Sequence, residues 1–115
     1  NMSEDLFMRI IDRQIPADIV YENDEVLAFR DINPQAPVHV LIIPKLHIRT
    51  INDVAREHEP LLGKLFSAAR EIAVAEGIDE SGYRVVMNCG EGAGQSVFHI
   101  HLHLLGGRRL AWPPG

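Results

Sequence analysis

The chain has 115 residues, 46% of them hydrophobic, which suits one compact domain with a modest core; a site in so small a body is built economically or shared between subunits. Eleven basic side chains against sixteen acidic ones leave a net charge of −5, and the basic residues are scattered, which argues against polymeric nucleic acid as a partner. No apolar run reaches membrane-spanning length, no secretory leader is recognisable, and the single cysteine, Cys89, has no intrachain disulfide partner, so the expectation is a cytoplasmic protein without a membrane partner.

Asn1 reads as an expression remnant ahead of Met2, and residues 2–115 as a single domain in which 107–115 form a tail. In "EDLFMRIIDRQ", Leu6, Phe7, Ile10 and Ile11 recur at helical spacing, and Pro16 bars continuation. "DIVYEND" and "EVLAFRD" are β-rich runs joined by Asn23-Asp24, a hairpin signal. "VHVLIIP" is apolar on both faces, as expected of a central strand covered by a helix. The long helical region follows, with Leu61, Leu62, Leu65, Phe66, Ala69, Ile72 and Ala73 as its apolar stripe, Pro60 in the first turn and Gly77 at the C-terminal cap. "YRVVMN" and "SVFHIHLHLL" read as two further strands around a glycine-rich connection. The sum is an α+β domain, an antiparallel sheet with its helices packed on one side.

The last strand carries the most informative pattern. Alternation places His99, His101 and His103 on one face and Phe98, Ile100, Leu102 and Leu104 on the other, the obvious core face. At roughly 3.3 Å rise per residue, His99 and His103 are attached about 13 Å apart, too far for all three rings to converge easily on one ion with ligand bonds of about 2 Å. The chain has neither CxxC nor HExxH, so no metal is expected. A solvated strand face is normally a mixture of Thr, Lys, Glu and Ser; a face of imidazoles alone points instead to chemistry near neutral pH. Neutral imidazole is a nucleophile, and His101 is flanked on both sides by rings able to orient it or exchange protons. For His47 and His58 the ordinary reading, a surface ring or one satisfied by a carbonyl, applies.

Before the histidines, "NCGEGAGQS" offers Gly90, Gly92 and Gly94, where backbone N–H groups can turn toward an anion, and the donors Gln95 and Ser96. A plain hairpin loop is the competing reading. Next to three imidazoles the run resembles a cradle for one phosphate, without the GxxxxGK[ST] spacing of nucleoside triphosphatases.

The run His99-Ile100-His101-Leu102-His103-Leu104-Leu105 resembles the signature of the histidine triad superfamily of nucleotide hydrolases and transferases. More narrowly, "FRDINPQAPVHVLIIPKLHI", "GYRVVMNCGEGAGQSVFHIHLHLLGGR" and "WPPG" resemble its nucleotide-binding branch, the purine nucleoside phosphoramidases, from about Asp5 to Gly115. The resemblance implies a five-stranded antiparallel sheet with one long and one short helix, pairing into a ten-stranded sheet in a homodimer formed through the long helix and a neighbouring strand. It implies that His101 attacks the α-phosphorus of an adenosine or guanosine 5'-phosphoramidate to give a nucleotidyl-histidine that water hydrolyses, with His99 and His103 as flanking partners and His39 as a fourth, buttressing histidine. Asp31 matches the carboxylate that holds the ribose, Phe29 and Ile32 the base-pocket walls, and Asn88, Gly94, Gln95 and Ser96 the phosphate contacts, with Val97 a further nucleotide-binding position. No cofactor is implied. Trp112 lies near the partner's active site by the same likeness, and burial at a subunit contact suits an aromatic placed between Ala111 and two prolines.

Backbone N–H groups near Gly94 and Gln95, with the Ser96 hydroxyl, are the expected oxyanion donors, and proton delivery falls to the triad or to Ser96. Arg108 and Arg109 read by default as a solvated pair. Two alternatives stand beside the phosphoramidase: a dinucleoside polyphosphate hydrolase, and a nucleotide-binding adaptor with incidental catalysis.

Overall fold

A computed structural model of the chain describes the backbone of residues 2–115 and the side chains from residue 6 onward; Asn1, read above as an expression remnant, lies outside them. The elements in order are α1 (Met2–Ile11), β1 (Ile19–Glu22), β2 (Val26–Arg30), β3 (Val38–Pro44), α2 (Glu59–Ala75), β4 (Tyr83–Val86) and β5 (Leu102–Gly106), with short 3-10 turns at Ile51–Asp53, Arg56–His58 and Glu91–Ala93. The five strands form one antiparallel sheet in the order β1-β2-β3-β5-β4.

The β1–β2 hairpin closes through Asn23, whose Oδ1 accepts from the N–H groups of Glu25 and Val26 at 2.9 Å each. Helix α2 starts with a proline in its first turn and stops at Gly77, whose φ of 73° lets the chain reverse while Ile78 N–H donates to the Ala73 carbonyl. A two-pronged ion pair from Arg30 to Glu76, at 2.6 and 3.0 Å, fastens the end of β2 to the C-terminus of α2.

The sheet is covered on both faces, and here the structure corrects the expectation of helices on one side. Leu65, Ala68, Ala69, Ile72 and Ala73 of α2 pack on Val26, Ala28, Val40, Ile42, Leu102 and Leu104. Phe7 and Ile10 of α1 pack on Leu27, Phe29, Leu41 and Ile43, the alternate positions of β2 and β3. Both faces of these two strands are therefore apolar, as the continuous run in β3 anticipated. Phe66 is a second correction: it is 55% exposed, as is Val74. The small side chains of Ala68, Ala69 and Ala73 centre the packed face of α2, which turns Phe66 outward.

The strand expected from Ser96 begins only at Leu102. Extending the β3–β5 register, in which Ile42 lies opposite Leu102, brings Ile100 opposite Pro44, which has no N–H to give. Ile100 N–H donates instead to the Ile48 carbonyl at 2.8 Å. The alternation nevertheless holds through this extended segment: Ile100, Leu102 and Leu104 are fully buried in the α2 core while the three histidines turn to the opposite face.

Candidate active site

Four histidines gather on the α1 side of the sheet; main-chain groups set the tautomers of His39, His99 and His101, and His39 sets that of His103. Gln35 N–H donates to His39 Nδ1 at 3.0 Å, so His39 carries its proton on Nε2. That proton points into His103 Nδ1, 2.9 Å away, with the Asp31 Oδ2 at 3.5 Å. His103 consequently holds its own proton on Nε2. His99 Nε2–H donates to the Pro44 carbonyl at 2.7 Å. His101 Nδ1–H donates to the His99 carbonyl at 2.7 Å, which leaves the lone pair on His101 Nε2.

Burial is the leading cause of a lowered pKa at all four rings: it takes His99 and His103 down to about 4, and moves His39 and His101 in the same direction. Mutual repulsion adds to the depression at His99 and His103, and the Asp31 carboxylate opposes it at His39, His101 and His103. All four are neutral at pH 7. His99 Nδ1 is buried without a hydrogen-bond partner, which a neutral ring in an apolar setting tolerates better than a charged one.

Phe7 is the residue that sequence reasoning missed. Its ring stands edge-on to His101 at 5.0 Å, to Phe29 at 5.5 Å and to His99 at 5.8 Å, holding the imidazoles from above. The signal was its place on the apolar face of the first helix, which named a core residue without naming what it covers. Replacing Phe7 by Leu keeps the apolar volume but removes the aromatic edges, and is expected to cost about 1 kcal/mol of stability. A thermal unfolding midpoint lower by roughly 4 °C would register it, and an unchanged midpoint would contradict it. His47, given an ordinary role, has one with a local consequence: it stacks on His99 at 5.0 Å while its Nε2–H donates to the Phe98 carbonyl at 2.8 Å.

The other expected site residues divide. Asp31 sits beside His39, fixed by accepting from Asn33 N–H at 2.8 Å. Phe29 is buried beneath Phe7, while Ile32 on the following turn is fully exposed. Asn88 and Pro114, with Gln35, His39, His103 and Leu110, line a cavity of about 340 Å³. The tail thus comes beside His39 and His103 of its own chain, and Trp112 is 80% exposed.

The glycine loop departs from expectation. Gly94 N–H donates to the Glu91 carbonyl and Gln95 N–H to the Gly90 carbonyl, both at 3.0 Å, so neither is free for an oxyanion. Gln95 is buried, and its side chain accepts from Gly90 N–H at 2.8 Å and donates to the carbonyls of Arg49 and Val97. It clamps the loop instead of offering donors at the mouth. Among the described residues, no hydrogen bond is made by the N–H groups of Ser96 and Val97 or by the Ser96 hydroxyl, and Ser96 is exposed. These three are the available donors.

Donor atoms of Asp31, His39 and His103 lie within 4.8 Å of one another, close enough for a cation to bridge. The proton that Gln35 N–H fixes on His39 Nε2 occupies the line between the two rings, and a metal there would have to displace it.

Comparison with known proteins agrees with this geometry. The model of the HIT domain family matches residues 12–110. The chain is 58% identical over 107 residues to the purine nucleoside phosphoramidase of Escherichia coli K12, covering 93% of this chain and 90% of that protein. It is also 58% identical to an uncharacterised HIT-like protein of Synechococcus elongatus, over 99% of this chain and all of the relative. The crystal structure of a HIT family hydrolase from Legionella pneumophila superposes with a TM-score of 0.94 at 56% identity, covering 96% of this chain and 98% of that one. A family match spanning most of the chain, a shared fold and buried histidines on alternate residues make this protein a member of the HIT family.

Proposed function

We propose that the protein is a purine nucleoside phosphoramidase, cleaving the P–N bond of adenosine or guanosine 5'-phosphoramidates to the nucleoside monophosphate and an amine. The observation that carries this reading is the 2.7 Å bond from His101 Nδ1–H to the His99 carbonyl, which presents an unprotonated Nε2 as nucleophile. The 58% identical phosphoramidase of E. coli supports the choice of substrate.

His101 Nε2 attacks the α-phosphorus, the P–N bond breaks, and the amine leaves with a proton. Water then attacks the nucleotidyl-histidine, releasing the monophosphate and restoring the ring. As the phosphorus adds a ligand, negative charge grows on its oxygens, and Ser96 N–H, Val97 N–H and the Ser96 hydroxyl, which make no other hydrogen bond among the described residues, are the donors that receive it; one such donor is worth about 3 kcal/mol in an acyl-transfer enzyme. His103 Nε2–H offers a further bond. At rest His103 is neutral, but an incoming phosphoryl anion favours its charged form, so substrate binding draws a proton from solvent onto His103, and that proton passes to the departing amine. Asp31 holds the ribose hydroxyls, and Asn88 contacts the phosphate.

A homodimer in the cytoplasm fits the remaining surface. β4 is an edge strand with one open hydrogen-bonding side, and Tyr83 on β4, with Phe66 and Val74 on α2, leaves apolar area exposed in a single chain. Pairing β4 with its copy yields a ten-stranded sheet and gives Trp112 a partner surface. Sedimentation at twice the chain mass is the expected result. For the activity, AMP release from adenosine 5'-phosphoramidate with a chelator present throughout is the test; release that depends on metal, or none, would sink the reading.

A further inference from the structure

Three arginines, Arg84, Arg108 and Arg109, line the space beside His103 and its continuation toward the tail. On β4 and β5, Arg84 lies opposite Leu105 and Val86 opposite His103, so Arg84 projects on the same face as the catalytic ring. Arg84 donates to the Ala111 carbonyl at 2.9 Å, and Arg108 donates through Nε to the Gln35 carbonyl at 3.0 Å. Arg108 Nη1 also donates to the Arg109 carbonyl at 3.0 Å. Those bonds pin the tail across the sheet, and Nη2 of Arg108 and Nη1 of Arg84 make none of them. The cavity beside His39 and His103 adjoins a second of about 270 Å³ that reaches Arg109, and the two share Arg84, Arg108 and Leu110 as lining. Among the described residues, no carboxylate pairs with any of the three arginines, in a chain whose net charge is −5.

We infer that this arginine-lined passage is an anion subsite for the departing half of the substrate, taking a carboxylate or phosphate carried by the leaving group. The inference rests on the phosphoramidase reading for the direction of departure. Guanidinium groups suit either anion because their N–H groups form paired, charge-assisted bonds. The surplus of acidic side chains elsewhere disfavours an anion at most other places on this surface, which makes the passage the selective feature.

Binding is measured by calorimetry in a His101→Asn background, where the ligands stay intact. One pair of ligands is the glycine adduct of AMP, joined through nitrogen, against its glycinamide counterpart; the other is ADP against AMP. A gain of about tenfold or more for the anion in either pair is expected, and which pair shows it identifies carboxylate or phosphate as the preferred group. Adding Arg108→Gln, or separately Arg109→Gln, should bring that ratio close to one while AMP affinity stays constant, showing the fold intact. Equal affinities within both pairs, or a gain that survives both substitutions, would overturn the subsite. Hydrolysis of unsubstituted adenosine 5'-phosphoramidate by the unmodified protein decides the phosphoramidase reading separately.

Discussion

His101→Asn is expected to lower kcat by about 10⁴-fold or more while AMP binds within a few-fold of its original affinity. Asn fills similar space and can donate to the His99 carbonyl, as the ring does at 2.7 Å, but has no lone pair able to form a phosphorus–nitrogen bond and later release it. Losing a covalent route removes the division of one difficult displacement into two easier ones, so the effect falls on turnover and not on recognition. Rapid quenching during turnover should find labelled protein with the unmodified chain and none with the variant. Hydrolysis by the variant within tenfold of the original would remove His101 from the role of nucleophile.

Acidification is the second large effect. His99 and His103 have folded pKa values of about 4 because burial disfavours their charged forms, against 6.5 in an unfolded chain. Between those values the unfolded chain binds more protons than the native one, so stability is complete above pH 6.5, falls as the pH drops toward 4, and levels off below. At pH 5 the cost is about 2 kcal/mol per histidine, roughly 4 kcal/mol for the pair, a large share of the 5–15 kcal/mol typical of a domain. Urea unfolding at pH 7, 6 and 5 should show the midpoint falling at each step, and His103→Asn should make the slope shallower. A midpoint constant from pH 7 to 5 would contradict the burial of the cluster. Activity follows the same logic: burial also lowers the pKa of His101, so the acid limb of kcat/KM belongs below 6.5.

How much of this was legible in the sequence depended on how local its cause is. Alternation of apolar and histidine residues from Phe98 onward is a two-residue property, and it assigned both faces of the segment correctly even though the ladder begins only at Leu102. The late start has a distant cause, the missing N–H of Pro44 on the neighbouring strand. Phe66 follows Leu62 by four residues and so reads as part of the core stripe; the side of α2 that packs carries Leu65, Ile72 and three alanines. At the site, the residue types were readable and their allegiances were not. Gln95 has the chemistry of a ligand donor, yet the loop folds around its amide. Phe7, more than ninety residues from His101 in the chain, meets it only because α1 crosses the face opposite α2.

The partners that settle three of the four imidazoles directly are Gln35 N–H and the carbonyls of Pro44 and His99, and His103 follows through His39. Atoms common to every residue are not altered when a codon changes. Lineages can therefore rewrite the base pocket, the glycine loop or the tail, and so acquire new leaving groups, while the nitrogen that does the chemistry stays the same. Such a scaffold separates what is recognised from what reacts, and diversification of substrate is the evolutionary outcome it permits.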